Sequence, residues 1–471
     1  MKLKGSLLFL LFILLLSVYK AAPISICPDF YWYLMDGKYF IENKELPQNV
    51  YTYLPSEKWI AHSLAFEVLL YVIYKNFGDV GLYIFKIVLL TILYSIVIFI
   101  VYEKSKKILN FLIVYFLVFS LLYWGTTVLR PHIFTYISTA LILLAIEKRR
   151  YELIPIVLLF FSFFHAGIVV SIIISVIYFL AYLIDGKFRE SKKIIFLTSL
   201  GIFLIVIFNP YHLDYFDYII KALFKKSKIW ENYVSEWESI FISAFWEKDY
   251  YVRSLLLAPI FLIVMLFILS PRKKLTIDIF LLIAFYYSSL KHVRNIPIFG
   301  IVSAFIIPPY LNEILKPKLT FQEIDNKLIF KILILLINFF IIVKIITEKE
   351  KVRVEKTFFP IEAVEFIKNY KKEGNILCPS DRGGFIQYKL FPNFKISVDG
   401  RLSVPDTILL EHFKFWNLEI DPWNYIKKYK TEFILTENKF IITKVLKKRR
   451  ELKAVYNDEY FTVFELKRRD K

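Results

Sequence analysis

The sequence predicts a polytopic α-helical membrane protein with a small soluble α/β domain at its C-terminal end. Three observations predict it. The 471-residue chain is 57% hydrophobic, with a mean hydropathy of +0.52, richer in apolar residues than soluble domains of this size. Apolar stretches close to the length of about 20 residues that crosses a bilayer recur between residues 5 and 346. Beyond residue 351 the pattern changes to alternating charged and apolar residues. The formal net charge of +19 would point to nucleic acid on a soluble chain. Here much of the Lys and Arg lies in short runs between apolar segments, as cytoplasmic loops do, and no folded basic face is apparent, which argues against a nucleic-acid partner.

Residues 5–20 form the first apolar segment, behind Lys2 and Lys4. Ala21-Ala22-Pro23 matches a signal-peptidase site poorly, so the segment reads as an uncleaved transmembrane helix. Further spans are expected at 81–102, 108–124, 131–146, 151–165, 167–184, 194–209, 253–270, 276–290, 294–311 and 328–346, about eleven in all. With the N-terminus inside, the basic runs "EKSKK" (103–107), "EKRR" (147–150), "DGKFRESKK" (185–193), "SPRKK" (270–274) and the loop holding Lys316 and Lys318 all fall inside, provided residues 63–78 do not span. That segment is short and carries Glu67, so it reads as a helix lying in the outer interface. The outside then holds a loop at 21–80, a loop at 210–252 rich in Trp, Tyr and acids, and the tail. The expected organisation is therefore a membrane domain over 1–350 and an extracytoplasmic α/β domain over 351–471, anchored in the cytoplasmic (inner) membrane. In the tail, "LKAVYNDEYFTVFELK" reads as two strands around a turn at Asn457-Asp458. The two cysteines, Cys27 and Cys378, form no metal-binding pattern and read as unrelated thiols. Both fall on the outer side, which keeps a disulfide open.

Ionisable side chains near the bilayer are costly and mark function. The topology gathers Asp29, Asp36, His62, Glu67, Arg130, His132, His165, His292 and Arg294 at the outer face. The competing explanation is that such residues merely avoid the bilayer core. It is weakest for Arg130-Pro131-His132, where a short turn confines both side chains. In "CPDFYWYLMDGKYFIENKELP" (27–47), Asp29 and Asp36 are seven residues apart and share one face of a short helix. Asp29 follows Pro28 and suits a helix cap, or else a general base or metal ligand beside an aromatic patch fitted to the membrane interface. Asp36 precedes Gly37, read as a helix stop, and is expected at the solvated surface.

The stretch "PDFYWYLMDGKYFIENKELP" followed by "YTYLPSEKWIAHSLAFEVLLYVIYKNFGDVGL" resembles a group of bacterial membrane proteins that is itself similar to the GT-C superfamily of glycosyltransferases. That superfamily includes oligosaccharyltransferase catalytic subunits, protein O-mannosyltransferases and aminoarabinose transferases. "LRPH" (129–132), "FFHAG" (163–167), "VRNIPIF" (293–299) and "SVDGR" (397–401) match later landmarks of the group. The resemblance implies a GT-C-like fold and an enzyme that takes a sugar from a polyprenyl-phosphate donor, with the first-loop acid at Asp29 as base or acceptor-orienting group. Two departures stand out. Tyr33 replaces the group's histidine, and the loop has no Asp-x-Asp pair to indicate a divalent metal, which leaves the cofactor open.

A lipid phosphate at the outer leaflet needs cations, and Arg130, His132 and Arg294 are the candidate donor-phosphate ligands. Asp36, His62, Glu67, His165 and His292 are candidates for the remaining pocket. The acceptor is not legible. A transporter or flippase of lipid-linked saccharides is the second reading, but no internal repeat is seen and the polar residues crowd one face. A non-catalytic scaffold whose tail binds a partner is the third.

Overall fold

The computed structural model describes residues 4–226, 229, 232–241, 250–325, 327–348, 351–370 and 373–467. Lys2 and parts of the 210–252 loop lie outside the described residues. Every stretch expected to span coincides with a helix. Six described helices are long and apolar enough to cross a membrane: Leu64–Lys104, Ile108–Thr126, Ala166–Ile184, Phe188–Phe208, Val293–Ile314 and Leu328–Thr347. Gly5–Ala21, His132–Glu147, Leu153–Ser162 and Leu256–Leu269 are shorter apolar helices. The chain is a multi-pass membrane protein with a small C-terminal sheet region.

The chain divides into two compact units, one made of Met1–Ser25 and Phe77–Val352, the other of Ile26–Asn76 and Arg353–Lys471. Sequence alone grouped the first outer loop with the membrane part; by contacts it clusters with the tail. The boundary between Asn76 and Phe77 falls inside the helix Leu64–Lys104, next to a kink at Gly78, whose φ of 55° and ψ of −146° are non-helical. A glycine tolerates that conformation, so the apolar run splits there into two helices rather than one over-long span.

In the first unit, Ile296–Ile314 is buried over nearly its whole length, as an all-apolar helix at a bundle centre must be, and it contacts Ile108–Thr126 closely. Leu328–Thr347 is the opposite case. Only Ile334, Asn338 and Ile341 are buried, a stripe at helical spacing, and the remaining apolar surface is outward. Asn338 donates to the Leu8 carbonyl at 3.1 Å and so ties this helix to Gly5–Ala21. The backbone N–H of Ser6, one of the orphan donors of that first helix, is taken by the Asp325 carboxylate at 2.7 Å.

The basic loops meet at one end of this bundle. Lys104 pairs with Glu147 at 2.6 Å and Lys148 with Glu103, joining "EKSKK" to "EKRR". Asn110 donates to the Leu315 carbonyl at 3.1 Å, Ser270 to the Tyr310 carbonyl at 2.9 Å, and Thr276 to Asp185 at 2.6 Å. Arg130, His132, His165 and Arg294 lie at the far ends of the same helices.

In the second unit a five-stranded sheet has the order Phe394–Ile396, Gly374–Leu377, Phe433–Glu437, Phe461–Leu466, Leu452–Asn457. The first three strands are parallel and the last two antiparallel. The expected hairpin is present; the Asp458 carboxylate accepts from the backbone N–H of Tyr460 and Phe461 at 2.7 and 2.6 Å and fixes its turn. Leu377, Phe415, Ile426, Ile434, Ile442 and Phe464 form the apolar core. The loop residue Tyr53 extends the sheet: its N–H donates to Ile396 O at 3.0 Å, and Ile396 N–H donates to Tyr51 O at 3.1 Å. Cys27 and Cys378 are both buried.

Two expectations for the opening helix are corrected. The helix Phe30–Asn43 runs straight through Gly37, which is not a stop. A Cβ at that position would lie 2.2 Å from the Glu67 carbonyl oxygen, so glycine is there to let two helices touch. The aromatic residues Phe30, Tyr31, Trp32 and Tyr33 are buried rather than spread on a membrane surface. Tyr31 packs against Phe359, Phe385 and Tyr388 of the tail.

Candidate active site

Each unit carries one polar constellation. In the first, Arg130 stands just before the helix His132–Glu147, and Arg294 lies in the short turn ahead of Ile296–Ile314. Both guanidinium groups reach one carboxylate, that of Glu236 in the 210–252 loop. Arg130 Nη1 is 2.6 Å from its Oε2 and Arg294 Nη1 is 3.9 Å from its Oε1. Burial pushes the Glu236 carboxyl up, but the two arginines outweigh it and hold it below the ordinary glutamate range. Arg294 also stacks on the Trp237 ring, 4.5 Å from its centroid. The backbone N–H of Val293 donates to the Glu238 carbonyl at 3.2 Å, so the loop is fastened on both sides of Trp237.

Three histidines surround the pair, and their partners fix their tautomers. Arg294 Nη2 is 2.6 Å from His132 Nε2. A guanidinium only donates, so Nε2 accepts and carries no proton. The sequence-based expectation of three cations thus becomes two, with His132 presenting a lone pair. His165 Nδ1 accepts from the Gly167 N–H at 3.2 Å and from the Thr135 hydroxyl at 2.6 Å, leaving its proton on Nε2. The His132 and His165 rings are 4.5 Å apart. His292 is turned away from them and donates from Nδ1 to the Trp237 carbonyl at 2.6 Å.

The second constellation holds Asp29, Asp36, His62 and Glu67. Asp29 occupies the position ahead of Phe30–Asn43, yet its side chain makes no capping hydrogen bond. Instead its Oδ1 accepts from Trp32 Nε1 at 3.1 Å. Asp36 is fully buried, against the expectation of a solvated residue. It accepts from Trp59 Nε1 at 2.8 Å and from Arg401 Nη1 at 3.1 Å. Arg401 is gripped in turn by Asp399, at 2.6 and 2.9 Å, and lies over the Tyr51 ring. Burial, opposed by the Arg401 charge and reinforced by Asp399, raises the Asp36 carboxyl to about 6. Glu67 is also fully buried and accepts from the Ser63 hydroxyl at 2.7 Å. The His62 ring stands against Trp59, 5.8 Å between centroids.

Structure therefore brings Arg130, His132, His165 and Arg294 together around Glu236, with His292 behind Trp237, and collects Asp29, Asp36, His62 and Glu67 in the other unit. Glu236, Trp237, Trp59, Asp399 and Arg401 were not singled out as site residues from sequence. The available signals were the 210–252 loop, rich in Trp, Tyr and acids, and "SVDGR", whose Arg401 meets Asp36. Among the described residues no group of three or more His, Cys, Asp or Glu is placed to hold a metal ion.

Comparison with solved structures decides the fold. The chain is similar to the oligosaccharyltransferase of Archaeoglobus fulgidus, solved with zinc and sulfate. The match has a TM-score of 0.53 at 13% identity and covers 91% of this chain and 68% of that one. The chain shares the fold of that oligosaccharyltransferase. A second similar structure is the arabinofuranosyltransferase AftD from Mycobacteria, with a TM-score of 0.48, 12% identity, and coverage of 100% of this chain and 40% of that one. No family model and no curated protein matches the chain. That shared fold agrees with the resemblance read from the first-loop motif.

Proposed function

We propose that the protein is a membrane glycosyltransferase that transfers a sugar from a polyprenyl-phosphate-linked donor to an acceptor at the outer face of the cytoplasmic membrane. The observation that carries this reading is the convergence of Arg130 and Arg294, far apart in sequence, on a single carboxylate beside His132. Two guanidiniums around one carboxylate form a ready receptor for a phosphate, which offers the same oxygen geometry with more charge. In this reading the donor phosphate takes the place of the Glu236 carboxylate. The acceptor hydroxyl or amide attacks the anomeric carbon, and its proton passes to Asp29. The bond to the phosphate oxygen breaks and the electron pair leaves with the lipid phosphate, whose charge the arginines stabilise. His165 and His292 are the proposed supports of the phosphate-binding arginines, and Asp36, His62 and Glu67 those of Asp29.

In the same reading the chain crosses the membrane about eleven times, with the basic loops inside and the tail outside. The gathering of those loops at one bundle end supports it. Exposed Leu69, Val72 and Phe77 support an interfacial position for the helix that ends at Gly78. Binding of a polyprenyl phosphate in detergent or nanodiscs tests the site. Arg130→Ala and Arg294→Ala each weaken it by roughly 1.5–3 kcal/mol, and Arg→Lys at either position recovers only part. Unchanged binding in both alanine variants removes these residues from the donor site.

A further inference from the structure

The tail segment "SVDGR" approaches Asp29 more closely than any sequence argument required. Gly400 lies so near that a Cβ there would sit 2.7 Å from Asp29 Oδ1 and 3.0 Å from Trp32 Nε1, the donor that holds this oxygen. Its φ is not in the left-handed region, so the glycine serves space and not conformation. Gly384 does the same one step away, where a Cβ would lie 3.2 Å from the Pro28 carbonyl oxygen and 3.4 Å from Trp32 N. The flanking residues lock the turn. Asp399 Oδ1 accepts from Arg401 N–H at 3.0 Å, its Oδ2 accepts from Arg401 Nε at 2.9 Å, and Arg401 then reaches Asp36, two turns along the helix that begins beside Asp29. The turn is thus bolted to one end of a helix and touches the other.

The geometry points to the Asp399-Gly400-Arg401 turn as a positioning element for the Asp29 carboxylate: Gly400 and Trp32 fix its rotamer from one side, and the Arg401–Asp36 pair sets the distance between turn and helix. The inference rests on the reading of Asp29 as the base, but the contact itself does not. It explains why a carboxylate at a helix start is not spent on capping: its first oxygen is already held. Gly400 and Arg401 are positioning residues, since neither needs to touch substrate.

The test uses the full-length protein in nanodiscs. First, melting temperatures are measured for Gly400→Ala, Asp29→Ala and the double variant. Gly400→Ala lowers the melting temperature, and most of that loss disappears in the Asp29→Ala background, because the oxygen the new methyl meets is gone. Equal losses in both backgrounds overturn the contact, whatever reaction the protein performs. Second, turnover is measured with polyprenyl-phosphate-linked glucose and mannose as probes. Gly400→Ala, or Arg401→Lys if the former does not fold, lowers kcat tenfold or more while KM for the donor changes less than twofold. A folded variant with wild-type kcat overturns the positioning role. Asp29→Asn run in parallel separates the two claims. If it stays active, the base assignment fails with it. If it is inactive while Gly400→Ala turns over normally, only the positioning role fails.

Discussion

Asp29 and Asp36 stand seven residues apart on one helix and meet opposite environments. Asp36 is sealed between Trp59 and Arg401, whereas Asp29 keeps partial exposure at the helix start. The first is a joint and the second is the proposed base. Asp29→Asn keeps the shape and still accepts from Trp32, but loses the charge. It is expected to insert and melt like the wild type, bind donor, and lose about 10²–10⁴ in transfer rate, the usual share of general-base assistance. Transfer near the wild-type rate would return Asp29 to a structural role. Glu236 offers a second residue-scale prediction. As the carboxylate now held by Arg130 and Arg294, it competes with an incoming phosphate. Glu236→Gln weakens that competition, so polyprenyl-phosphate affinity rises several-fold in a fluorescence or calorimetric titration; a fall in affinity would mean the carboxylate orients the arginines instead.

At the scale of elements, the opening helix is the one whose neighbours the sequence hid best. Its helical spacing was readable, and so were the apolar spans, because period and length are local properties. The burial of Asp36 was not readable, since its cation is supplied by residue 401. Gly37 looked like a stop because a glycine near a loop usually is one; only the carbonyl of Glu67 shows why it sits mid-helix. Glu236 was hidden for the same reason as Asp36, its partners being 106 and 58 positions away in chain order. The buried acid also gives a pH prediction. Asp36 holds its proton up to about 6 in the folded protein, against an ordinary value of 3.8. The native state therefore binds more protons than the unfolded chain between those values, and stability falls as pH rises through that window. Melting temperatures recorded from pH 4 to 7 should decline across it, and Asp36→Asn should flatten the decline. Glu236 contributes with the opposite sign: its lowered carboxyl adds stability above the ordinary glutamate range, lost as pH falls below it.

For the whole molecule, the helical membrane class was legible from composition and the recurring apolar stretches, whereas the division into units was not. A boundary drawn where hydropathy changes put residues 26–76 with the membrane helices, but packing assigns them to the tail. Orientation is open to direct measurement. Lys106→Cys lies in an exposed position of a basic loop and Lys427→Cys in an exposed position of the tail, and both native cysteines are buried, so background labelling is low. In intact cells with any outer membrane opened, an impermeant thiol reagent should modify residue 427 and spare residue 106. The reverse pattern would mean that Leu64–Lys104 crosses the membrane differently and would invert the inside and outside faces.

The discontinuous second unit also imposes an order on biosynthesis. Ile26–Asn76 leaves the ribosome first, and its partner Arg353–Lys471 follows only after the whole of Phe77–Val352. At synthesis rates of roughly 5–20 residues per second the wait is on the order of tens of seconds. Throughout it Tyr31, Trp32 and Asp36 lack the tail that buries them, so the early segment must be sheltered by chaperones or by the lipid surface. The Asp399-Gly400-Arg401 turn can therefore reach the helix Phe30–Asn43 only after the whole of Phe77–Val352 has been made.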